Sequence, residues 1–494
     1  MLLFFSLAPF FLFISLMFWK KASLLLVSSL SLLLTIILAV FYWQILPFYL
    51  TASIVKGLFI ALDIFIIIFG AIFFLEILKA TKIIDNLCLH LESLSGDYRV
   101  QVIILAWLLE NFIEGTAGFG TPAVIVAPLL VGLGFTPITA VIISLLGNST
   151  SVAFGAAGTP IRVGFAGLNI SSIPFNVALI NLVGFIVPIF MLWIITKDKV
   201  KQKENFFEAL PFAIWAGIAF VLPSLAVVFL GQEFPSILGA VIGMMLIFIT
   251  IRLKIFMPKT VRKLRSTGIQ KPSLSFGKVI FPYGLLILIL IIGKFALATA
   301  GVSVSFGLKH TFIFFNPGLA FLLASIPVVI FIAKDAKLAL KSLKASFVRA
   351  ATPFLVIAVM SALVQIMIYS GNNRSGIIAP LSYLASNLNT SLLPFISPFI
   401  GAFGSFLTGS ATISNIMFGD LLVRASQIVN LNTSKILALA LAGAAAGNMI
   451  ALADILEAEA AMGLKEKTRV VIKGVFIPCL IYVLLIGIVG MLFV

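Results

Sequence analysis

Charged residues are scarce in this 494-residue chain, and cysteine and histidine are almost missing. Aspartate, glutamate, lysine and arginine make up 10% of the residues, with only two cysteines and two histidines. Cys88 and Cys479 lie in distant, dissimilar segments, and neither His90 nor His310 has a partner at metal-ligand spacing. These absences argue against a disulfide framework, a metal site and a histidine-assisted nucleophile. We therefore expect no cofactor, no metal and no catalytic residue, and the chain is not predicted to be an enzyme.

Apolar residues dominate instead. They make up 62% of the chain, and the mean hydropathy is +1.23, which is too apolar for a soluble protein. We interpret the chain as a multi-pass protein of the cytoplasmic (inner) membrane. Its net charge of +16 comes from short basic clusters between apolar runs, which fits cytoplasmic loops and argues against nucleic acid as a partner. The apolar N-terminus, residues 1–19, lacks a basic start and a cleavage site, so we expect the first span there.

Apolar runs long enough to cross a bilayer, roughly 20 residues each, predict about twelve spans. They lie near residues 2–19, 23–45, 58–78, 136–156, 175–196, 206–231, 235–251, 279–299, 311–333, 350–370, 433–453 and 474–494. The basic clusters should all be cytoplasmic, and they lie at 20–21, 79–82, 197–203, 252–278, 334–349 and 465–473. They fall on one side only if segments 99–133 and 389–422 each enter and leave by the same face, as re-entrant helical hairpins.

The predicted fold is therefore an all-α polytopic membrane protein with two inverted repeats. The first hairpin follows an amphipathic cytoplasmic linker, 83–98, and the second follows a polar linker, 371–388, on the opposite side. Residues 1–196 and 277–494 then each contain three spans, a linker, a hairpin and two spans. Residues 197–276 form a connector with two spans and basic loops. Broken helices in inverted repeats typically hold the solute of a secondary transporter near the middle of the membrane.

Two glutamates in the first hairpin, Glu110 and Glu114, are four residues apart and share one helix face. Two anions so placed repel each other in a medium of low polarity, so one of them is expected to stay protonated and to act as a proton carrier. The alternative is that one acid lies at the cytoplasmic rim and is simply solvated, since the helix begins only at Arg99.

A glycine-rich stretch directly follows this glutamate pair. Gly118 and Gly120 permit a tight reversal, and Pro122 suits the first turn of a new helix. The N-terminus of that helix favours an anion, with the Thr121 hydroxyl as a further donor. The alternative is close packing of glycines between helices, which is common in membranes.

The second hairpin carries a dense run of hydroxyl groups and one amide, including Ser410, Thr412 and Asn415. Such groups can bind a carboxylate, but they equally fit interhelical hydrogen bonds or coordination of Na⁺. Asn148 and Asn448 interrupt the spans that follow the two hairpins, and we expect both to line the same cavity.

Two acidic residues, Asp454 and Glu457, lie about one helical turn apart before the basic cluster at 465–473. A solvated helix end is the favoured interpretation of Glu457. Asp454 is a third candidate for proton coupling.

Five segments carry a family resemblance: 112–122, 129–135, 152–161, 406–419 and 447–450. Together they resemble the L-lactate permease family of bacterial and archaeal carriers, in both halves but densely only around the hairpins. The resemblance implies uptake of lactate, glycolate and similar 2-hydroxymonocarboxylates by proton symport, in a fold related to elevator-type ion transporters and, by analogy, as a homodimer. The matching motif positions are Glu114, Gly118, Gly120, Thr121, Ser410, Thr412 and Asn415.

The chain departs from the family pattern at two places. Ala411 stands where members commonly have an acid directly after the serine of the second hairpin, and Asp454 falls in a region usually free of acids. If that acid takes part in proton or substrate handling in the family, we expect either that Asp454 or Glu110 takes over its task or that the substrate differs.

We therefore predict a secondary active transporter that binds a small organic anion and protons, with Glu114, Glu110 and Asp454 in proton coupling. The predicted substrate-binding residues are Gly118, Gly120, Thr121, Asn148, Ser410, Thr412, Asn415 and Asn448. One alternative is a Na⁺-coupled carrier of other organic anions. An alternative of another class is a proton-translocating subunit of a membrane enzyme complex, but that would need a chain of buried lysines and acids, whereas Lys56 and Lys294 are isolated.

Overall fold

A computed structural model of the chain describes residues 1–19, 23–118, 120–166, 168, 171–197, 202–264, 272–297, 300–388, 390–464 and 467–494. Some residues used in the sequence analysis lie outside these ranges. They are the basic residues at 20–21, parts of the clusters 197–203 and 252–278, Lys465, and the motif residue Phe119.

Helices make up most of the structure. In chain order they are α1 (Leu2–Trp19), α2 (Leu24–Phe41), α3 (Pro47–Ala80), α4 (Ile83–Glu92), α5 (Tyr98–Ile103), α6 (Glu110–Thr116), α7 (Thr121–Gly132), α8 (Pro137–Gly147), α9 (Gly155–Arg162), α10 (Ile173–Ile180), α11 (Val187–Thr196), α12 (Gln202–Val227), α13 (Pro235–Leu253), α14 (Phe276–Leu297), α15 (Pro317–Pro327), α16 (Ala336–Tyr369), α17 (Pro380–Asn387), α18 (Leu393–Thr408), α19 (Ala411–Ile428), α20 (Thr433–Gly447), α21 (Leu452–Ala461) and α22 (Thr468–Phe493). Wider π-helical turns span Ile104–Leu109 and Val328–Ala333, and tighter 3₁₀ turns span Thr150–Phe154, Asn181–Ile186, Val228–Leu230 and Asn448–Ile450.

Nine helices within the described ranges are long and apolar enough to cross a membrane, and the number is ten if a pair bent by 44°, Pro137–Gly147 with Thr150–Arg162, forms one span. This count is lower than the predicted twelve. Two of the predicted spans, the first and the ninth, correspond to shorter apolar helices, Leu2–Met17 and Pro317–Ala333. The chain is a polytopic, mainly helical membrane protein, and its described residues hold nine or ten helices of full-span length rather than twelve.

The prediction of a purely α-helical fold is wrong at one place. Residues Gly301–Phe306 (β1) and Leu308–Ile313 (β2) form an antiparallel hairpin in which Val304 pairs with His310. The turn residue Gly307 has φ +71°, which glycine adopts without strain. Valines and phenylalanines alternate with polar residues here, a period of two that favours a strand. The span predicted at 311–333 therefore begins too early.

The first predicted hairpin region contains a sharp break. Helix α6 ends at Thr116, and α7 begins at Thr121 with Pro122 in its first turn. Gly118 and Gly120 between them have φ +61° and +72°, in the left-handed region that favours glycine. The break lies where the sequence predicts it.

The second region breaks in a similar way. Helix α18 ends at Thr408 and is followed by Gly409, which has φ +69°. The Ser410 side chain caps α19 by accepting a hydrogen bond from the Ile413 N–H. Helices α18 and α19 pack against each other, and the Ser414 hydroxyl donates to the Gly401 carbonyl at 2.9 Å. The re-entrant depth of both segments, the inverted repeats and the repeat boundaries remain predictions.

Candidate functional site

A small cavity, part of it open to the surroundings, lies where the two broken segments meet. It is lined by Glu114, Gly118, Gly120, Val152, Gly155, Ala156, Thr159, Pro160, Gly409, Ser410, Ala411, Thr412 and Asn448. Six of the eleven residues predicted from the sequence are among them. The cavity is therefore the candidate site, and residues from both halves of the chain build it.

Glu114 is the one residue with a formal charge among the described residues that line the cavity. It is 3% exposed, and its Oε2 atom has no hydrogen-bond partner within the described part of the chain. Its Oε1 atom lies 3.5 Å from the point that a Cβ atom on Gly118 would occupy, and it lies directly against Gly155. The absence of a side chain at these glycines leaves room for the carboxyl group.

Glu110 does not line the cavity. It is fully buried, and neither carboxyl oxygen has a partner among the residues that the structure describes. Its Oε2 atom lies 2.6 Å from the point that a Cβ atom on Gly147 would occupy. Neither Glu110 nor Glu114 is thus a solvated acid at the membrane rim, and the two face one segment, which runs from Gly147 to Gly155.

Two predicted binding residues are occupied in holding the loops together. The Thr121 hydroxyl donates to the Gly118 carbonyl at 2.8 Å and stabilises the turn that precedes α7. The Asn415 amide donates to the Pro160 carbonyl at 2.9 Å and joins α19 to α9. Neither residue lines the cavity.

Ser410 and Thr412 line the cavity at the start of α19. The Ser410 hydroxyl accepts the capping hydrogen bond from the Ile413 N–H at 3.3 Å. The first N–H groups of a helix have no acceptor within the helix, and the helix dipole favours negative charge there. This end of α19 is therefore suited to an anionic group.

Asn448 connects the cavity to a buried acid. Its amide Nδ2 donates to Asp454 Oδ2 at 2.7 Å, and its Oδ1 accepts from the Ser405 hydroxyl at 3.2 Å. Asp454 is 4% exposed and lies behind Gly120 rather than in the cavity wall. Asn148 is also buried outside that wall, and both polar atoms of its side chain lack a partner among the described residues.

One wall of the cavity is formed by the segment from Val152 to Pro160, for which no binding role is predicted from the sequence. A 3₁₀ turn leads into it, and Ala156, Ala157 and Gly158 have φ values of +41°, +52° and +79°. Left-handed alanines are strained and persist only where the surrounding structure imposes them, often at functional sites. The sequence feature that could have pointed to this wall is the run of small residues from Gly155 to Gly158, which is followed by Thr159 and Pro160.

The groups that line this site are mostly polar but uncharged or apolar. Hydroxyls, an amide, backbone groups and one carboxyl line it, and no basic side chain is among its described lining residues. In the described ranges no three histidine, cysteine, aspartate or glutamate side chains form a group that could hold a metal ion.

The chain is similar in sequence to known permeases. The sequence profile of the L-lactate permease family matches residues 3–299 and 297–494. The chain is 26% identical to the L-lactate permease of Escherichia coli over 482 residues, which cover 89% of this chain and 86% of that protein. It is 28% identical to the glycolate permease of the same organism over 482 residues, covering 86% and 83%. It is 26% identical to the L-lactate permease of Salmonella typhi over 509 residues, covering 94% and 90%.

The family match extends over both halves of the chain, and the apolar helices are those of a multi-pass protein of the cell membrane. Permeases move solutes without changing them, so the protein is a transporter and not an enzyme. The chain belongs to the L-lactate permease family.

Proposed function

We propose that the protein takes up small 2-hydroxymonocarboxylates, such as lactate and glycolate, across the cytoplasmic membrane by proton symport. The observation that carries this proposal is the cavity, where Glu114 from one broken segment and Ser410 and Thr412 from the other line the same small space. Relatives over most of the chain are named L-lactate permease and glycolate permease.

The solute carboxylate binds at the start of α19. Helix N–H groups and the hydroxyls of Ser410 and Thr412 donate to it, while the backbone of Gly118 and Gly120 forms the opposite wall. Asn448 donates or accepts at the solute hydroxyl. Thr121, Asn148 and Asn415 support the loops around the site.

Glu114 couples the proton to the anion. An ionised carboxyl group and an anionic solute repel each other strongly where water is largely excluded. The anion therefore binds when Glu114 is protonated, and the two travel together. Glu110 and Asp454 are further proton-coupling groups.

Both broken segments act as re-entrant hairpins. Each belongs to one of two inverted repeats, residues 1–196 and 277–494, which are joined by the connector 197–276.

Uptake of radiolabelled L-lactate and glycolate into proteoliposomes tests the proposal. An inward proton gradient alone should drive accumulation, a protonophore should abolish it, and replacement of Na⁺ by choline should leave it unchanged. Accumulation that requires Na⁺ would overturn proton coupling. No transport of either acid under any gradient would overturn the substrate assignment.

A further inference from the structure

Three carboxyl groups contact one short loop, Gly118–Gly120, from opposite ends. Glu114 Oε1 lies 3.5 Å from the point that a Gly118 Cβ would occupy. At the other end, Asp454 Oδ1 and Glu457 Oε2 lie 2.7 and 3.3 Å from the corresponding point on Gly120. Asp454 and Glu457 are therefore close neighbours across the space that the missing Gly120 side chain leaves open.

The three groups differ in burial. Glu114 is 3% and Asp454 4% exposed, whereas Glu457 is exposed at the protein surface. They thus form a series from the cavity wall to the protein surface. Glu457 lies on α21, which precedes the basic residues at the start of α22, so the positive-inside rule puts it on the cytoplasmic face.

The surrounding charges favour movement of a single proton along this series. Asp454 and Glu457 converge on the same point beside Gly120, and like charges so close together disfavour two ionised carboxyl groups there. Arg349 of α16 faces Glu457 and itself pairs with Glu76 of α3. Glu110 lies four residues before Glu114 on α6.

Asn448 leaves the inner carboxyl group available for proton exchange. It donates to Asp454 Oδ2, while Oδ1 is the oxygen that faces Gly120 and Glu457. If Asp454 served only as the structural partner of Asn448, that role would explain the position of its Oδ2 atom. It would not account for a second, exposed carboxyl group converging on the same glycine.

Building on the proposed function, we infer that Asp454 and Glu457 form the cytoplasmic proton exit, with Glu457 as its surface group. In each cycle the Glu114 carboxyl releases its proton after the anion leaves. The Asp454 carboxylate accepts that proton and passes it to the Glu457 carboxylate, which gives it to water. Each step breaks one O–H bond and forms another, so no further reactant is needed.

The test compares Glu457→Gln with wild type and with Glu204→Gln, a change at another exposed glutamate, at the start of α12. Uptake driven by a proton gradient should fall about tenfold or more in Glu457→Gln, as expected when a positioned proton-transfer group is lost. Counterflow exchange, which needs no net proton movement, should stay within about twofold, because the cavity is unchanged. Glu204→Gln should behave like wild type in both assays.

Two further measurements separate a relay from a structural role. A high concentration of the buffer MES at the face that bears Glu457 should restore part of the uptake by Glu457→Gln, because the buffer replaces the missing carboxyl. Glu457→Asp should retain gradient-driven uptake. Normal gradient-driven uptake by Glu457→Gln would overturn the proton exit through Asp454 and Glu457 but not the proposed function. The same conclusion would follow if Glu457→Gln lost both gradient-driven uptake and counterflow exchange, and neither MES nor the Glu457→Asp substitution restored them. Wild-type protein without gradient-driven uptake would instead overturn the proposed function.

Discussion

The side-chain amide of Asn448 and the carboxyl group of Asp454 are joined by a hydrogen bond of 2.7 Å. Asn448 lines the cavity and Asp454 lies behind it, so this bond connects the cavity with a buried acid. The orientation of the amide depends on the protonation of its partner. A change in the protonation of Asp454 therefore changes the orientation of the Asn448 amide in the cavity wall.

Asn448→Ala should impair transport and stability together. Loss of the amide leaves the buried Asp454 carboxyl without this donor, which costs about 1–3 kcal/mol. Thermal unfolding in detergent should shift to lower temperature, and lactate uptake should fall. Asn372→Ala removes an exposed side-chain amide that donates to the nearby Tyr369 carbonyl, and it should change neither quantity. Wild-type uptake by Asn448→Ala would argue against its place in the site.

Gly155→Ala tests the space that Glu114 occupies. A Cβ atom at residue 155 would overlap Glu114 Oε1, although the backbone there, at φ −60°, accepts alanine. The carboxyl must shift, and displacement of a reacting group by about 1 Å can cost up to 10²-fold in rate. We expect a large loss of gradient-driven uptake with the protein still folded.

Gly284→Ala is the matched control for that change, since no described atom lies within 4 Å of the added methyl group. It lies inside α14, where alanine is favoured by about 0.5–1 kcal/mol. Equal transport by Gly155→Ala and Gly284→Ala would show that the Glu114 position is not critical.

Thr412→Val and Thr121→Val distinguish solute binding from loop stabilisation. Thr412 lines the cavity, so loss of a hydroxyl that donates to a carboxylate, about 1.5–3 kcal/mol, should raise the KM roughly tenfold or more. Thr121 is bonded to Gly118, so its loss should lower stability by about 1 kcal/mol and change KM little. Initial-rate kinetics and thermal unfolding of both variants check this, and the reverse pattern would contradict the assignment.

Gly120→Ala should disturb both the backbone and the acidic pair behind it. Residue 120 has φ +72°, where alanine costs about 1–2 kcal/mol, and the new methyl group would meet Asp454 Oδ1 at 2.7 Å. Gly463→Ala carries a comparable strain at φ +64°, with no described atom within 4 Å. Both variants should unfold at lower temperature than wild type, but only Gly120→Ala should lose gradient-driven uptake. If Gly120→Ala and Gly463→Ala showed similar gradient-driven uptake, any loss of uptake would be due to backbone strain alone.

The positions of the two helix breaks could be predicted from sequence because local chemistry determines them. Gly118, Gly120 and Gly409 take left-handed conformations, Pro122 begins a helix and Ser410 caps one. Each effect acts within a few residues. The polar residues at these breaks were therefore good candidates, and several of them line the cavity.

Other features depend on contacts between distant parts of the chain and could not be predicted in the same way. Ala156 and Ala157 are left-handed, a conformation that alanine's own preferences disfavour. The packing of Asp454 against Gly120 joins residues far apart in sequence. The hairpin formed by β1 and β2 is not predicted from the sequence, because its apolar residues border an apolar helix and are assigned in part to the span 311–333.

Coupling of proton and anion at Glu114 is tested most directly by Glu114→Gln in proteoliposomes, with uptake of L-lactate under a proton gradient measured beside counterflow exchange. The glutamine keeps the size of the side chain but cannot release a proton. Gradient-driven uptake should fall by about 10²-fold or more while exchange persists. Gradient-driven accumulation at the wild-type rate would contradict the role of Glu114 as the proton carrier.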